Sequence, residues 1–371
     1  MVTSIRCPTS LGAVICLALT LTAANCPARD VTNVGLFPVA QDGKSGYIDK
    51  TGKWTIKPQF ATALDFVDGL APVQKYEDGW GYVDKTGKYV IGPQFAAAQE
   101  FAERVARVQM DGGTWGYIDK TGRYVIRPQF VGATDFAEGL AAVVKEGGKW
   151  GYINKAGKYV IEPQFDYATC FSDGLARVGN GRRGEYKYGY IGKTGKYIIE
   201  PKYDDASDFS AGLAAVRVGK VIRLGAQQYP QFGYIDKTGE YVIKPQFDWA
   251  REFSEGFAAV RVGDARGDFA DTPGKWGYVD ETGKYVIKSQ FELASDFSEG
   301  LARVSIGGKY GYIDETGENV VEPQFYWARD FFDGLAEVNL GGHPNYNYSG
   351  VQGGTTGYID KTGRYVYWPS K

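Results

Sequence analysis

The chain repeats one short pattern nine times, which restricts it to an array of like units. An aromatic-Gly-Tyr-Ile/Val core recurs with its glycine at Gly46, Gly81, Gly116, Gly151, Gly189, Gly233, Gly277, Gly311 and Gly357. A full unit reads GLAxV, a variable loop, WGYIDKTGKYVIxPQF and then xxAxxF. The first copy begins at Gly35 and the last ends with Tyr365-Val366-Tyr367. The array therefore takes up residues 33–371, and no second domain is required.

Each part of the unit has a physical reading. In Trp80–Ile91 two β-rich runs flank Asp84-Lys85-Thr86-Gly87. Asp accepts from the N–H groups of the turn and Gly takes the left-handed position, which predicts a hairpin with a type I turn and a glycine bulge. Counting through the bulge sets Val83 opposite Tyr89, Tyr82 opposite Val90 and Gly81 near Ile91. The strand glycine is expected to leave room for a neighbouring ring. Pro93 and its counterparts lack an N–H and are expected to end the second strand; the seventh copy has Ser289 instead. Phe60, Ala63 and Phe66 follow at three-residue spacing, which predicts a helical turn or compact loop. GLAxV reads as a third short strand. Gln59, Gln94 and Gln129 are expected to bond backbone between units.

One unit is too small to bury its own aromatics, so neighbours must stack. Propeller blades have four strands and number four to eight. Three strands and nine copies predict an all-β, open, twisted β-superhelix, with a closed β-propeller-like ring as the alternative. In that alternative residues 35–39 complete the last unit beside residues 357–367.

This pattern resembles the WG-repeat (KWG or WG β-repeat) family. The resemblance is carried by Trp80-Gly81, Trp115-Gly116, Trp150-Gly151 and Trp276-Gly277 with the YIDKTGKYVI, PQF and FSEGLA blocks that follow, and it covers all nine copies. Ser45, Tyr188, Phe232, Tyr310 and Thr356 depart at the tryptophan position, the outer two in units expected to cap the array. The family is mainly bacterial and often exported, so the resemblance implies fold and export and adds little about activity.

The N-terminus carries Arg6 and then a weakly polar-to-apolar stretch, Leu11–Ala24, of a length that suits a signal peptide rather than a membrane span. Residues 1–24 are read as that signal, cleaved after Ala24, and residues 25–32 as a linker. The mature chain is expected to be exported: periplasmic, secreted or associated with the cell envelope, with no transmembrane segment. Cys26 offers a rival lipidation site, although Asn25 before it is unfavourable. Only Cys26 and Cys170 outlast cleavage. Two distant cysteines make no disulfide framework, and Cys170 is expected to fill a repeat position.

Charge and composition narrow the function. The 42 Lys+Arg against 44 Asp+Glu give no reason for a nucleic-acid partner. One histidine, His343, cannot supply a zinc site. No nucleophile elbow, phosphate loop or dinucleotide fingerprint occurs, so no catalytic residue, metal or cofactor is assigned. Acidic pairs recur as Asp65/Asp68, Glu100/Glu103, Asp135/Glu138, Glu252/Glu255, Asp296/Glu299 and Asp330/Asp333. They read either as a calcium ladder or as solvated turns whose acids accept N–H bonds or pair with repeat lysines. A catalytic pair should be singular, and these are not. Asp84 and Asp119 are explained by their turn, and the repeated tryptophans by packing rather than by sugar stacking.

Singular features lie in the GLAxV-to-GY loops. Those at 179–188, 219–232, 263–276 and 339–356 are expanded and should project from one edge. Arg182, Arg183, Tyr186, Arg223, Tyr229, Arg266, Tyr346 and Tyr348 would line that edge as a partner-binding surface of mixed aromatic and Arg character. The Arg266-Gly267-Asp268 tripeptide is short enough to arise by chance. The expected function is a non-enzymatic scaffold for a protein or peptide. Binding of carbohydrate or cell wall through the aromatics is the alternative, and hydrolysis by one acidic pair ranks third.

Overall fold

The computed structural model describes residues 35–369 except 77, 183, 220–230, 264–273, 345–350 and 353. The β-structure divides into nine consecutive antiparallel sheets. Residues 36–60, 62–95, 97–130, 132–165, 167–203, 205–247, 249–291, 293–325 and 327–367 form blades 1 to 9. Blades 2 to 9 have four strands in chain order, not three. Blade 1 has three among the described residues, beginning with Leu36–Gln41. Blade 9 carries an extra two-stranded hairpin, His343–Pro344 with Val351–Gln352.

The additional strand is the xxAxxF stretch, expected as a helical turn. In blade 3 it is Ala97–Ala102, paired to Val105–Gln109 with a register shift between Ala98 and Phe101. The bulge inserts a residue, so Ala98 and Phe101 face the same side and both are buried. Bulging stretches the strand period from two to three, which imitates a helical spacing.

The array is a closed nine-bladed propeller, which corrects the open superhelix and agrees with the alternative. Nine hydrophobic cores lie between nine blades, whereas an open stack of nine would have eight. One core joins Leu36, Tyr47 and Phe60 of blade 1 to Phe66 and Val73 of blade 2. The ninth joins Phe37, Val39 and Ile48 of blade 1 to Leu335, Tyr358 and Tyr367 of blade 9. At that seam the Tyr358 O–H donates to Pro38 O at 2.8 Å, the Trp54 and Tyr367 rings meet edge-on at 5.5 Å, and Lys50 pairs with Asp333. Closure removes two apolar faces that an open array would expose.

The first strand of each blade is innermost and the fourth forms the rim. Rim strands such as Tyr89–Phe95 alternate exposed and buried residues. First strands contact one another: Ser172 donates to Phe209 O, Ser210 to Phe253 O, Ser254 to Phe297 O and Ser298 to Phe331 O, at 2.6 to 2.8 Å. Pro93 lies inside its strand rather than ending it, because a rim edge needs no N–H donor there.

The Tyr of each Gly-Tyr core links blades. Tyr47, Tyr82, Tyr117, Tyr152, Tyr190, Tyr234, Tyr278 and Tyr312 are fully buried. Each donates its O–H to a carbonyl 17 residues ahead, on the next blade's inner segment: Leu64, Gln99, Thr134, Thr169, Ser207, Arg251, Ser295 and Arg329. Burial raises these phenols and keeps the donor protonated.

The turns follow the expected chemistry. The Gly87 N–H donates to Asp84 O, Thr86 N–H and O–H both donate to Asp84 Oδ1, and Gly87 has φ +82°. The bulge pairs Tyr82 with Ile91 rather than Val90, while Val83 does face Tyr89. Gly81 makes room for backbone, not for a ring: a Cβ there would lie 2.6 Å from Ile91 O. The glutamines stay within their own strands, Gln94 Nε2 donating to Gly92 O at 3.4 Å.

Candidate functional site

Strand order divides the connections between two faces. Turns between strands one and two, and between three and four, lie on one face. Loops between strands two and three, and links between blades, lie on the other. All four expanded loops are of the second kind, in blades 5, 6, 7 and 9, three of them adjacent. The single-edge expectation therefore follows from antiparallel strand order.

The turn face is an ion-pair ring. The second acid of each repeated pair has positive φ and is followed by a left-handed residue, as at Asp68 (+58°) and Gly69 (+86°), the geometry of a tight hairpin turn. Its carboxylate reaches the neighbouring blade. Glu103, Glu138 and Asp173 accept from Gly139, Gly174 and Gly212 N–H at 3.1, 2.9 and 2.7 Å. The same acids face lysines: Lys155–Glu103 is 2.9 Å, Lys193–Glu138 3.0 Å and Lys361–Glu299 3.1 Å. Burial opposes the Glu138 charge, but the Gly174 N–H and Lys193 hold it below the ordinary glutamate range. Ala211 breaks the ring, and the facing position in blade 7 holds Glu281 instead of Lys. Among the described residues no group of three or more His, Cys, Asp or Glu is arranged to hold a metal ion. These acids serve as blade-to-blade links.

The first acids line the inner segments. Each Arg of a GLARV-type strand meets the acid of the next blade: Arg107–Asp135 at 3.3 Å, Arg177–Asp208 at 3.1 Å and Arg303–Asp330 at 3.2 Å. Burial works most strongly against the Arg177 charge, but Asp208 together with Tyr167, Tyr190 and Tyr188 more than offset it, so its pKa is raised.

The long-loop face has a distinct cluster at blade 5. The Arg177 guanidinium lies 5.5 Å from both the Tyr167 and Tyr188 ring centroids. Tyr186, from the expanded loop, stacks 5.7 Å from Tyr167 and 6.0 Å from Tyr188. In blade 6 Arg217 stands over Phe232 at 4.8 Å and bonds Asp205 at 3.1 Å, and Phe232 meets Trp249 at 5.4 Å. In blade 7 Arg261 lies 5.9 Å from Trp276. Trp276 and Trp150 are buried, whereas Trp80 and Trp115 are partly exposed beside the cores.

Of the residues assigned from sequence, Arg182 is exposed and Tyr186 partly buried on this face. Arg183, Arg223, Tyr229, Arg266, Tyr346, Tyr348 and Cys26 lie outside the described residues. Sequence reasoning passed over Tyr167, Arg177 and Tyr188, which sit at repeat positions.

It also passed over the loop anchors. Asp166, Asp204, Asp248 and Glu292 accept the N–H of Gly181, Gly219, Gly263 and Gly308 at 2.7 to 2.9 Å. Lys149 pairs with Asp166 at 2.7 Å and Lys187 with Asp204 at 2.8 Å. The Lys149 and Gly181 bonds hold the Asp166 carboxyl below the ordinary range. The signal was readable: the residue after each Gln-Phe or Lys-Tyr is acidic in these four copies and Ala61, Ala96 or Val131 in the first three.

A family model described as WG containing repeat matches residues 46–77, 80–113, 115–150, 150–181, 188–221, 232–264, 276–310 and 310–342. The chain belongs to the WG-repeat family. No curated protein sequence matches this WG-repeat chain. Among solved structures it is similar to the computationally designed Ika8 protein, at 14% identity over 76% of this chain and 92% of that one, TM-score 0.45. It is also similar to BamB from Moraxella catarrhalis, at 10% identity over 77% and 98%, TM-score 0.36. A third likeness is Hsv2 from Kluyveromyces lactis, at 9% identity over 64% and 86%, TM-score 0.38. At these scores the likenesses bear on neither fold nor function. Among the described residues no helix is long and apolar enough to cross a membrane.

Proposed function

We propose that this WG-repeat protein is an exported, non-enzymatic scaffold that binds a protein or peptide on its long-loop face. The observation that carries this reading is the asymmetry between the two faces. The turn face is nearly uniform around the ring, and its acids are engaged by neighbouring Gly N–H groups and lysines. The opposite face is irregular at blades 5, 6, 7 and 9, and carboxylates at blades 5 to 7 hold the roots of its loops. A rigid scaffold with variable loops on one side favours recognition. Arg182 is exposed, with the Tyr167, Tyr186 and Tyr188 rings nearby in the same blade, the side-chain types enriched at protein interfaces. The repeated acidic pairs supply no singular catalytic pair.

The test is a pull-down with the mature chain from cell-envelope extract, with protein and purified wall offered separately. A specific protein band that is lost when Arg182 and Tyr186 become Ala supports the scaffold. Retention on protein-free wall overturns it in favour of glycan binding through the aromatics.

A further inference from the structure

The turn face is uniform in shape but not in charge. Every outer turn, between strands three and four, has the same length, and the expanded loops all lie on the opposite face. In the D-K-T-G-K turn the first, second and fifth residues carry charge. Blades 1, 2, 3 and 9 keep Asp, Lys and then Lys or Arg, which leaves one net positive charge each. Blades 4 and 5 put Asn154 and Gly192 in place of the Asp, which leaves two. Blades 6, 7 and 8 reverse the sign through Glu240, Glu281, Glu315 and Glu318, and blade 8 reaches three net negative charges. These four glutamates are exposed, as are Lys158 and Lys196 of blades 4 and 5. The second acids of the inner turns recur in blades 2 to 9 except at Ala211 in blade 6, so they leave the contrast in place.

The lysine of an outer turn reaches the second acid of the preceding blade, as Lys155 reaches Glu103 and Lys193 reaches Glu138. Glu281 and Glu315 hold that lysine's position in blades 7 and 8. The negative sector is therefore also where the pattern of lysine links between blades stops.

We infer that the turn face is a self-association surface on which a second copy of this chain docks face to face. The two sectors lie on nearly opposite sides of the ring, blade 7 being four steps of nine from blade 3. Two rings that face each other about a two-fold axis run their blades in opposite directions. One such setting places blade 3 over blade 8, blade 4 over blade 7 and blade 5 over blade 6. Each negative outer turn then meets a positive one, twice over by symmetry. Blade 2 meets blade 9, and only blade 1 meets its own copy, where Lys50 is already paired with Asp333. A purely cationic partner would match blades 6 to 8 and be repelled by blades 1 to 5, whereas a second copy matches both signs.

The short turns allow the close approach that such a contact needs. Both long-loop faces point outward in the pair, so a partner with repeated epitopes would be held at two places at once. The contact itself needs no assumption about what those loops bind.

Sedimentation velocity of the full chain tests the inference. The expected result is a dimer at about 20 mM salt that dissociates to monomer at roughly 500 mM, since exposed charges are screened within a Debye length. Glu281→Lys/Glu315→Lys/Glu318→Lys should be monomeric at low salt, and Lys158→Glu/Lys196→Glu should be weakened. Both leave the capping Asp and Gly of the turns unchanged. An equal mixture of the two variants should associate more strongly than either alone. Carbodiimide cross-links between Lys158 and Glu281, three blades apart within one ring, should mark the facing copies. A monomer at both salt concentrations, a dimer indifferent to salt or to the glutamate changes, or a monomer that binds polylysine instead overturns the assignment. Cys170 is disulfide-bonded, which corrects the expectation that it merely fills a repeat position. A dimer that survives denaturing electrophoresis until it is reduced would be a disulfide-linked pair, and that result overturns the assignment as well.

Discussion

Tyr358 donates its hydroxyl to the carbonyl of Pro38 at 2.8 Å, across 320 residues of sequence. In every other blade the equivalent Tyr bonds a carbonyl only 17 residues ahead, within or just after the next inner strand. The seam between the first and last blades uses the same phenol, but on Leu36–Gln41, the innermost described strand of blade 1. In a closed ring Tyr358 is therefore an interior residue.

Replacing Tyr358 by Phe tests closure. In the ring the change leaves a buried carbonyl without its donor, and about 1–2 kcal/mol of stability should be lost. Tyr152→Phe, at an interface that any array would contain, is the reference and should cost a similar amount. In an open array Tyr358 would face solvent and its replacement would be nearly neutral. Urea midpoints of the two variants discriminate.

The strand glycines should be intolerant of the smallest side chain. A Cβ on Gly81 would lie 2.6 Å from Ile91 O and 2.8 Å from Pro93 N, both backbone. Gly81→Ala should cost roughly 3 kcal/mol, in the range of overpacked cores. Gly92, on the neighbouring strand, has open space around the added carbon, and Gly92→Ala should change stability little. Thermal unfolding of the pair is the measurement, and equal losses would refute the backbone-contact account.

The unit, its turns and its boundaries were legible because each has a local cause. Asp84 and Gly87 write the hairpin into four residues. The fourth strand was hidden because the bulge between Ala98 and Phe101 replaces the strand period with a helical one. Closure was hidden for a different reason. It depends on Phe37, Val39 and Ile48 meeting Leu335, Tyr358 and Tyr367, and no local pattern encodes a contact between chain ends. The long loops stood out by length, and strand order then assigned their face. Tyr167 and Arg177 did not stand out, since they become a cluster only when the Tyr186 loop folds over them.

Two positions break the repeat at a cost in stability. Arg104 has φ +74° in the turn where other copies have Gly, and a branched backbone pays about 1 kcal/mol there. Arg104→Gly should recover that amount. Ser289 stands where the other eight copies have Pro, and its hydroxyl is buried without a hydrogen-bond partner. Ser289→Pro should add about 0.5–1 kcal/mol by restricting the unfolded chain. The sites lie in blades 3 and 7, so the gains should add in the double variant. Calorimetric midpoints check both, and a destabilised Arg104→Gly would contradict the assigned turn.

Glu252 makes the fold sensitive to pH. Burial first, and then the nearby Asp208 carboxylate, raise its pKa from 4.5 to about 7, while the Asp208 N–H and Arg177 pull the other way. The N–H bond, 3.1 Å long, satisfies one oxygen. Asp296 on the next blade adds further repulsion and is itself raised by burial. In the unfolded chain Glu252 ionises near 4.5. Below that value it is protonated in both states and has no effect. Between about 4.5 and 7 the folded state holds the proton more tightly, so stability falls as pH rises. Above 7 the loss is complete, at about 1–3 kcal/mol. Glu252→Gln keeps the shape and removes the charge. It should raise the denaturation midpoint at pH 8, leave it unchanged at pH 4, and flatten the profile between. A variant that shifts stability equally at both pH values would show that Glu252 acts through packing rather than through its proton.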